Sequence, residues 1–247
     1  MFELNEDAEV KVIKNIKGRS AVIIDNFYKN PDKVRELAIT LKYTKHPIFP
    51  GVRGVLATPE LKEKLYDTYL NLCSDTDNWS STLWYNLPKF NVELFNEHWD
   101  THEFLVNLLN DFTLKSNPRG IIPHQDYWKS DPHHQGCPEY QFGSVIYLNF
   151  PDECAGGTNL YSYNGEMSIS EDLQPEWKEG IDEIETDIAK FKYIKSKVDG
   201  NNQYAVEFEA EMVYNRMVLY QSDVLHSHNV TLGMFKNTNR INQVFFM

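Results

Sequence analysis

From about residue 103 onward, the chain consists of short β-type runs separated by clusters of Gly, Asn, Asp and Pro. The clearest run is "YAVEFEAEM" (204–212), where the apolar residues from Tyr204 to Met212 alternate mostly with glutamates, as in a half-buried strand. Many short strands of this kind predict a sandwich or barrel. The runs predicted as strands are "EFLVNLL" (103–109), "FTLK" (112–115), "GSVIYLNF" (143–150), "TNLYSY" (158–163), "YAVEFEAEM", "RMVLY" (216–220) and "INQVFFM" (241–247).

The N-terminal third has a different pattern. The compact apolar run 20–28 predicts a buried strand, and a helix is expected to follow it, with Asn30 as cap and Pro31 in its first turn. Residues 58–73 repeat this helical design. We therefore expect one domain over 1–247, with a mainly helical support in 1–102 and the β core in 103–247.

An acidic segment at about 170–197 interrupts the β region. Ile181, Ile184, Ile188 and Phe191 recur in it at helical spacing. This pattern predicts a helical insertion between two strands, with a solvated surface arm as the alternative because the segment is so charged. Another segment, 128–140, is rich in Pro, Gly and His and is interpreted as a lid or, equally, as a plain surface loop.

Charge and composition exclude several classes of partner. The chain carries 36 acidic and 24 basic residues, for a formal net charge of −12, and it contains no run of basic residues. Such a field repels phosphate backbones, so nucleic acid is not an expected partner. No stretch approaches the roughly 20 apolar residues that cross a bilayer, and the N-terminus does not resemble a signal peptide. We therefore expect a cytoplasmic protein without a membrane partner, with its three cysteines reduced.

The first candidate site lies in "IIPHQDYW" (121–128). His124 and Asp126 are two residues apart, so in an extended chain both side chains point the same way and can converge on one ion. A third ligand is available in "LHSH", where His226 and His228 follow an apolar run. Two histidines and one carboxylate form the ligand set of non-haem iron(II) oxygenases. Because the two later histidines are also two apart, either can face the metal.

Arg240 is the second candidate. It begins the last apolar run, and no acidic residue lies near it in sequence. A guanidinium presents a planar fork of donors that matches a carboxylate, so an arginine beside an iron site would suit an acidic co-substrate. The alternative is a surface arginine at the end of a strand.

The order of these motifs resembles the iron(II)- and 2-oxoglutarate-dependent dioxygenases, in particular their prolyl-4-hydroxylase-like branch. The motifs are His124-x-Asp126, "VIYLN" (145–149), "GGTNLY" (156–161), "NRMVLYQSDVLH" (215–226) and "NRINQVFF" (239–246), and they cover roughly the C-terminal half.

The resemblance implies a mainly β fold with accessory helices and a double-stranded β-helix, or jelly-roll, core. It also implies that His124, Asp126 and His226 bind Fe(2+), with His226 favoured over His228 because it follows "YQSD". Arg240, helped by Tyr147, would bind the far carboxylate of the co-substrate 2-oxoglutarate. The acidic insertion has no counterpart that we assign in this family, and Arg240 lies further from His226 than in many members.

The implied activity is hydroxylation of an unactivated C–H bond with O2, releasing succinate and carbon dioxide. The expected substrate is a peptidyl, prolyl-like residue or a free amino acid. Two other classes stay open. One is a cupin-type jelly-roll metalloprotein that does not use 2-oxoglutarate, and the other is a non-catalytic β-sandwich that binds a ligand or a partner.

Overall fold

Two antiparallel sheets pack face to face in the computed structural model, which describes residues 1–45, 51–57, 103–126, 142–169, 176–200 and 203–246. The large sheet has eight strands in the order β1-β2-β9-β6-β11-β5-β4-β3, and the small sheet has three in the order β10-β7-β8. The strands are β1 Glu9–Ile16, β2 Arg19–Asp25, β3 Tyr43–Lys45, β4 Val52–Ala57, β5 Glu103–Leu109, β6 Phe142–Tyr147, β7 Gly157–Tyr163, β8 Tyr204–Glu211, β9 Met217–Gln221, β10 His226–Asn229 and β11 Arg240–Phe246.

Successive strands of the C-terminal half pass back and forth between the sheets. β5 lies in the large sheet, His124 bridges to β10 of the small sheet, and β6 returns to the large sheet. β7 and β8 then lie in the small sheet, after which β9, β10 and β11 alternate between large, small and large. This winding is a double-stranded β-helix. The expected fold class, mainly β with accessory helices around a jelly-roll core, is therefore confirmed.

Buried apolar side chains fill both faces of the large sheet. The inner face packs against the small sheet through a cluster that includes Val145, Tyr147, Leu160, Val218 and Tyr220. The outer face is covered by the N-terminal segment and by helix α1. That second cluster includes Phe2, Val22, Phe27, Val34, Phe104, Ile146 and Leu219. The alternation of Val145 and Tyr147 with Ile146 thus decides which residues of β6 face the space between the sheets.

The N-terminal third is richer in strand than expected. Its predicted strand and helix are present as β2 and α1 (Pro31–Thr40), with Val34 and Ala38 buried. However, β1, β3 and β4 also belong to the large sheet, so the described part of 1–102 is not mainly helical. These strands extend the large sheet at its edges, and the local sequence pattern does not reveal that they pair with it. The predicted helix 58–73 lies outside the described residues, as does segment 128–140.

Two helical segments complete the core. "FTLK" was predicted as a strand, and this prediction is wrong because Asn110 and Thr113 form a reciprocal capping box that starts helix α2 (Asp111–Ser116). The insertion is helical as predicted, within its described part. It contains a 3-10 helix, Glu176–Ile181, and helix α3, Asp187–Asp199.

The helices in the described ranges are all too short or too polar to cross a membrane.

Candidate metal and anion site

His124 and His226 are direct neighbours beside the small sheet. His124 and His226 form an isolated antiparallel bridge in which each backbone N–H donates to the other residue's carbonyl, at 2.9 and 2.8 Å. Their ring centroids are 4.5 Å apart. Residues that are a hundred positions apart in sequence are therefore held as direct neighbours by backbone hydrogen bonds.

Asp126 completes the group. Its backbone N–H donates to the carbonyl of Ser222 at 2.9 Å, which fixes the chain two residues beyond His124. Its Oδ2 lies 3.4 Å from Nε2 of His226. One ligand atom from each of His124, Asp126 and His226 lies within 4.8 Å of the others. Among the described residues, these three form the group that could hold a metal ion.

Hydrogen bonds on the far side of both rings set their tautomers. Nδ1 of His124 lies 3.1 Å from the carbonyl oxygen of Ile122, and Nδ1 of His226 lies 2.9 Å from that of Val224. A carbonyl only accepts, so each Nδ1 carries the proton in the neutral ring. Each Nε2 lone pair then faces the shared space, as in metal-binding histidines that donate their other N–H to a carbonyl.

The carboxylate oxygen that faces this space is unsatisfied. Oδ2 of Asp126 is buried and makes no hydrogen bond within the described structure, and 3.4 Å is long for one to His226. A buried oxygen without a donor costs about 1 to 3 kcal/mol or more, and a bound cation would satisfy it. The donor set of two imidazole nitrogens and one carboxylate oxygen thus fits a transition-metal ion such as Fe(2+).

The electrostatics of the group favour an ionised Asp126 and a neutral His124. Against the opposing effect of burial, Asp126 raises the pKa of His226. Burial likewise opposes a low pKa at Asp126, but the neighbouring His226 and His124 hold the pKa of this carboxyl below its usual value. Enclosure by protein, and next His226, lower the pKa of His124 to about 4, so its ring is neutral and able to bind a metal near pH 7.

Gly143 on β6 makes room for this arrangement. A Cβ atom at this position would lie 2.5 Å from Oδ2 of Asp126 and 2.8 Å from Cε2 of Tyr220. The Tyr220 ring in turn lies 4.5 Å from the His226 ring, centroid to centroid. Sequence reasoning missed both residues. The only signal was a glycine at the start of a buried strand, where a close approach is the usual reason.

His228 lies beside Arg240. Its Nδ1 is 3.2 Å from Nη1 of Arg240, and burial together with the Arg240 charge lowers the pKa of His228 well below its usual value. On β10, His226 and His228 point to the same side, but His226 meets Asp126 and His228 meets the arginine. The structure thus places His226, and not His228, beside Asp126.

Arg240 is completely buried, with 0% exposure. Its Nη1 also donates to Oδ1 of Asn242 at 2.6 Å, and its Nη2 donates to the carbonyl of Gly157 at 3.3 Å. Nε has no hydrogen-bond partner among the described residues. These contacts reach only neutral groups, and burial lowers the pKa of Arg240. A buried guanidinium without a carboxylate among its described contacts fits an anionic ligand.

Tyr147 packs against Arg240. The guanidinium carbon lies 5.4 Å from the centre of the Tyr147 ring, and the Tyr147 hydroxyl donates to Oγ1 of Thr158 at 2.8 Å. Burial raises the pKa of Tyr147, so the hydroxyl stays protonated and able to donate. Gly156 precedes β7 and Gly157 begins it, and a Cβ on either residue would lie within 2.0 Å of a backbone oxygen. Sequence reasoning missed Thr158 and Asn242, although Asn242 is two residues from Arg240 and shares its face of β11.

Comparisons with known proteins give a family and two structures. The model of a family described as "Family of unknown function (DUF6445)" matches residues 114–238, which include the three metal-site residues. No curated protein matches the chain. A crystal structure of an N-substituted L-amino acid dioxygenase from Burkholderia ambifaria AMMD is similar at 15% identity over 92% of this chain and 81% of that one, with a TM-score of 0.39. The same dioxygenase in complex with alpha-KG aligns with identical coverage and identity and a TM-score of 0.35.

Proposed function

The chain belongs to DUF6445, a family of unknown function, and we propose that it is an iron(II)- and 2-oxoglutarate-dependent dioxygenase that hydroxylates an unactivated C–H bond. One observation carries the proposal. The His124, Asp126 and His226 group lies next to a buried arginine whose described contacts are all neutral. A metal site beside an anion site is what this chemistry requires.

In the proposed site, Nε2 of His124, Nε2 of His226 and a carboxylate oxygen of Asp126 would hold Fe(2+). When bound, iron(II) supplies the activation of O2, coupled to the conversion of 2-oxoglutarate into succinate and carbon dioxide and to the insertion of one oxygen atom into the substrate C–H bond. The carbonyls of Ile122 and Val224 keep both imidazoles in the tautomer that binds metal.

Arg240 binds the far carboxylate of 2-oxoglutarate in this proposal. Asn242 and the Gly157 carbonyl hold its two Nη atoms, so the fork is oriented before the ligand arrives, and its Nε has no hydrogen-bond partner among the described residues. Tyr147 lies against the same guanidinium and brings a neutral hydroxyl to this part of the site. Because Arg240 is wholly buried, the ion pair would form away from water, where such contacts are strongest.

The substrate in this proposal is a peptidyl, prolyl-like residue or a free amino acid. Its support is the resemblance of the motifs to the prolyl-4-hydroxylase-like branch. The net charge of −12 disfavours nucleic acid.

Three measurements on anaerobically purified protein test the proposal. We expect one iron(II) per chain, saturable binding of 2-oxoglutarate by calorimetry, and formation of succinate when O2 is admitted. Asp126→Ala should remove most of the metal without unfolding the chain, whereas Asp152→Ala, a change at an exposed aspartate in a 3-10 helix, should retain it.

The outcomes separate the alternatives. Full iron occupancy in Asp126→Ala would refute the metal site. Metal binding without any binding of 2-oxoglutarate would refute the co-substrate and favour a cupin-type protein. Neither metal nor 2-oxoglutarate binding would favour a non-catalytic β-sandwich.

A further inference from the structure

The residue between the first two candidate ligands is itself anchored by a buried hydrogen bond. Gln125 lies between His124 and Asp126, so its side chain leaves the extended chain on the opposite side from theirs. It is 6% exposed, and its Oε1 accepts a hydrogen bond from the backbone N–H of Ile169 at 2.7 Å. Because a backbone N–H only donates, the side-chain amide must present its oxygen to Ile169. This contact ties the segment that carries two ligands to a distant part of the chain.

The segment that carries the third ligand is held by the same stretch. Leu225, directly before His226, donates its backbone N–H to the carbonyl of Met167 at 2.8 Å. Met167 and Ile169 are two residues apart, and both are buried. Residues 167–169, which we call the clamp segment, therefore form hydrogen bonds with both ligand-bearing segments.

A tight turn places the clamp segment beside the ligands. β7 ends at Tyr163, and the next two residues, Asn164 and Gly165, have positive φ values of 50° and 91°. Two such residues in succession form the type I′ turn of a β-hairpin, and Tyr163 pairs with Glu166 across it through hydrogen bonds of 2.8 and 3.0 Å. The chain therefore reverses into the clamp segment immediately after β7, the strand that pairs with β10.

The acidic insertion begins directly after the clamp segment and contacts the first ligand segment a second time. Its helix α3 packs on the 3-10 helix Pro118–Ile121, which ends three residues before His124. Phe191 and Ile194 of α3 share a buried apolar cluster with Ile121. The insertion therefore supports this ligand segment from both ends, through α3 before His124 and through the clamp segment after it.

These contacts restrict the separation of the ligands. His124 and His226 are joined directly by their backbone bridge, but Asp126 lies two residues beyond it, with its Oδ2 3.4 Å from Nε2 of His226. Metal sites require ligand distances within about 0.2 Å of their proper values. An anchored side chain at Gln125 limits rotation of the chain between its two neighbours, and that rotation decides whether both can reach one ion.

We propose that Gln125 is a positioning residue of the metal site, through which the acidic insertion holds the two neighbouring ligands at the distance that a bound ion requires. The inference rests on the metal-binding part of the proposed function and does not depend on 2-oxoglutarate. Metal binding and the order of the clamp segment then stabilise each other, because the coupling between two sites is reciprocal.

Substitution of Gln125 tests the assignment, with anaerobic titration of iron(II) by calorimetry as the measurement. Gln125→Met keeps the length of the side chain but removes the acceptor for the Ile169 N–H, and we expect iron(II) to bind on the order of 10-fold more weakly. Gln125→Glu keeps an acceptor oxygen at the same reach and should retain most of the affinity. Gln203→Met, the same substitution at an exposed position directly before β8, should bind iron(II) like the unmodified protein.

A spectroscopic measurement separates positioning from general stability. Cobalt(II) in place of iron(II) gives visible absorption bands that depend on the arrangement of its ligands. At saturating cobalt(II), the bands of Gln125→Met should be shifted, and those of Gln125→Glu and Gln203→Met should not. A loss of stability alone would lower the free energy of unfolding without changing the bands of the folded, metal-loaded protein.

Hydrogen exchange in the unmodified protein needs no variant, so it tests the coupling even if Gln125→Met fails to fold. Zinc(II) serves as a diamagnetic probe that takes the same types of ligand, and exchange is followed by nuclear magnetic resonance. Zinc(II) should slow exchange of the Ile169 and Leu225 amides by a larger factor than exchange of the amides of α1, which covers the outer face of the large sheet.

Three results would overturn the inference. The first is an unchanged iron(II) affinity or unchanged cobalt(II) bands in a folded Gln125→Met protein. The second is a loss of affinity in Gln125→Glu as large as in Gln125→Met. The third is zinc(II) slowing exchange at Ile169 and Leu225 no more than in α1. If the unmodified protein binds no metal, the proposed function itself has failed, which is a distinct outcome.

Discussion

Gly143→Ala tests whether the space beside Asp126 is needed for metal binding. The added Cβ would lie 2.5 Å from Oδ2 of Asp126, whereas ordinary contacts begin at 3.4 Å, so the two atoms must separate by 0.9 Å. Even the tightest tolerated contact, 3.0 Å, requires the two atoms to separate by 0.5 Å. Tyr220 limits relaxation on the other side, because its Cε2 would be 2.8 Å from the same Cβ. The carboxylate is therefore the group that moves.

A shift of this size exceeds what a metal site tolerates. Ligand distances in metal sites are reproduced to within about 0.2 Å, and disturbing the groups that orient a ligand typically costs 10- to 100-fold in affinity. We expect Gly143→Ala to weaken iron(II) binding by a similar factor, roughly 1.4 to 2.8 kcal/mol. Overpacking should also lower the free energy of unfolding by about 1 to 3 kcal/mol.

The assay is anaerobic titration of iron(II) by calorimetry at 25 °C, with near-ultraviolet circular dichroism to establish that the variant is folded. Gly180→Ala is the matched control, since the nearest atom to its added Cβ is the Tyr193 hydroxyl at an ordinary 3.7 Å. It should bind iron(II) like the unmodified protein. A folded Gly143→Ala protein with unchanged iron(II) affinity would refute this account of the glycine and weaken the assignment of Asp126 as a ligand.

Three further predictions follow from the same contacts. His226→Ala should abolish iron(II) binding, whereas His228→Ala should retain iron(II) and bind 2-oxoglutarate more weakly, because His228 contacts Arg240. If His228→Ala loses iron and His226→Ala keeps it, His228 is the metal ligand. Arg240→Met should raise the Kd for 2-oxoglutarate on the order of 100-fold and Tyr147→Phe roughly 3- to 10-fold, as measured by calorimetry, and equal effects would contradict the ranking of charged over neutral contacts. Asp25→Asn should lower the free energy of unfolding by roughly 1 kcal/mol in urea titrations, because Arg216 donates to both carboxylate oxygens of Asp25 at 2.6 and 2.9 Å. Glu3→Gln is the control, since Glu3 and Lys29 form an exposed pair 3.7 Å apart, and it should leave the free energy of unfolding unchanged.

The sequence alone predicted the β core because its signals are local. Alternation and turn residues identified most strands between residues 103 and 246, including β8 and β11, and a proline at its start identified α1. The strand predicted at 112–115 was wrong, since four residues carry too little periodicity to outweigh a capping box. The alternation in β8 also failed in part. A register shift opposite Leu160 and Tyr161 leaves Val206 51% exposed, although the pattern placed it inside.

The sequence also identified the chemical types of the candidate site. A His-x-Asp pair, a later His-x-His pair and an arginine before the last strand are visible as letters, and their order suggested the jelly roll. The spacing of two on a strand, however, leaves both histidines of the pair equivalent. A local pattern contains no information about what lies opposite each of them.

Tertiary structure decided the partners. The bridge between His124 and His226, the pairing of β10 with β7, and the position of β11 beside β6 bring together residues up to 116 positions apart, from His124 to Arg240. Only that arrangement directs His226 to Asp126 and His228 to Arg240, and only it turns Gly143 toward Asp126. The physical reason is that facing, burial and missing partners depend on long-range strand register, which short-range propensity does not determine.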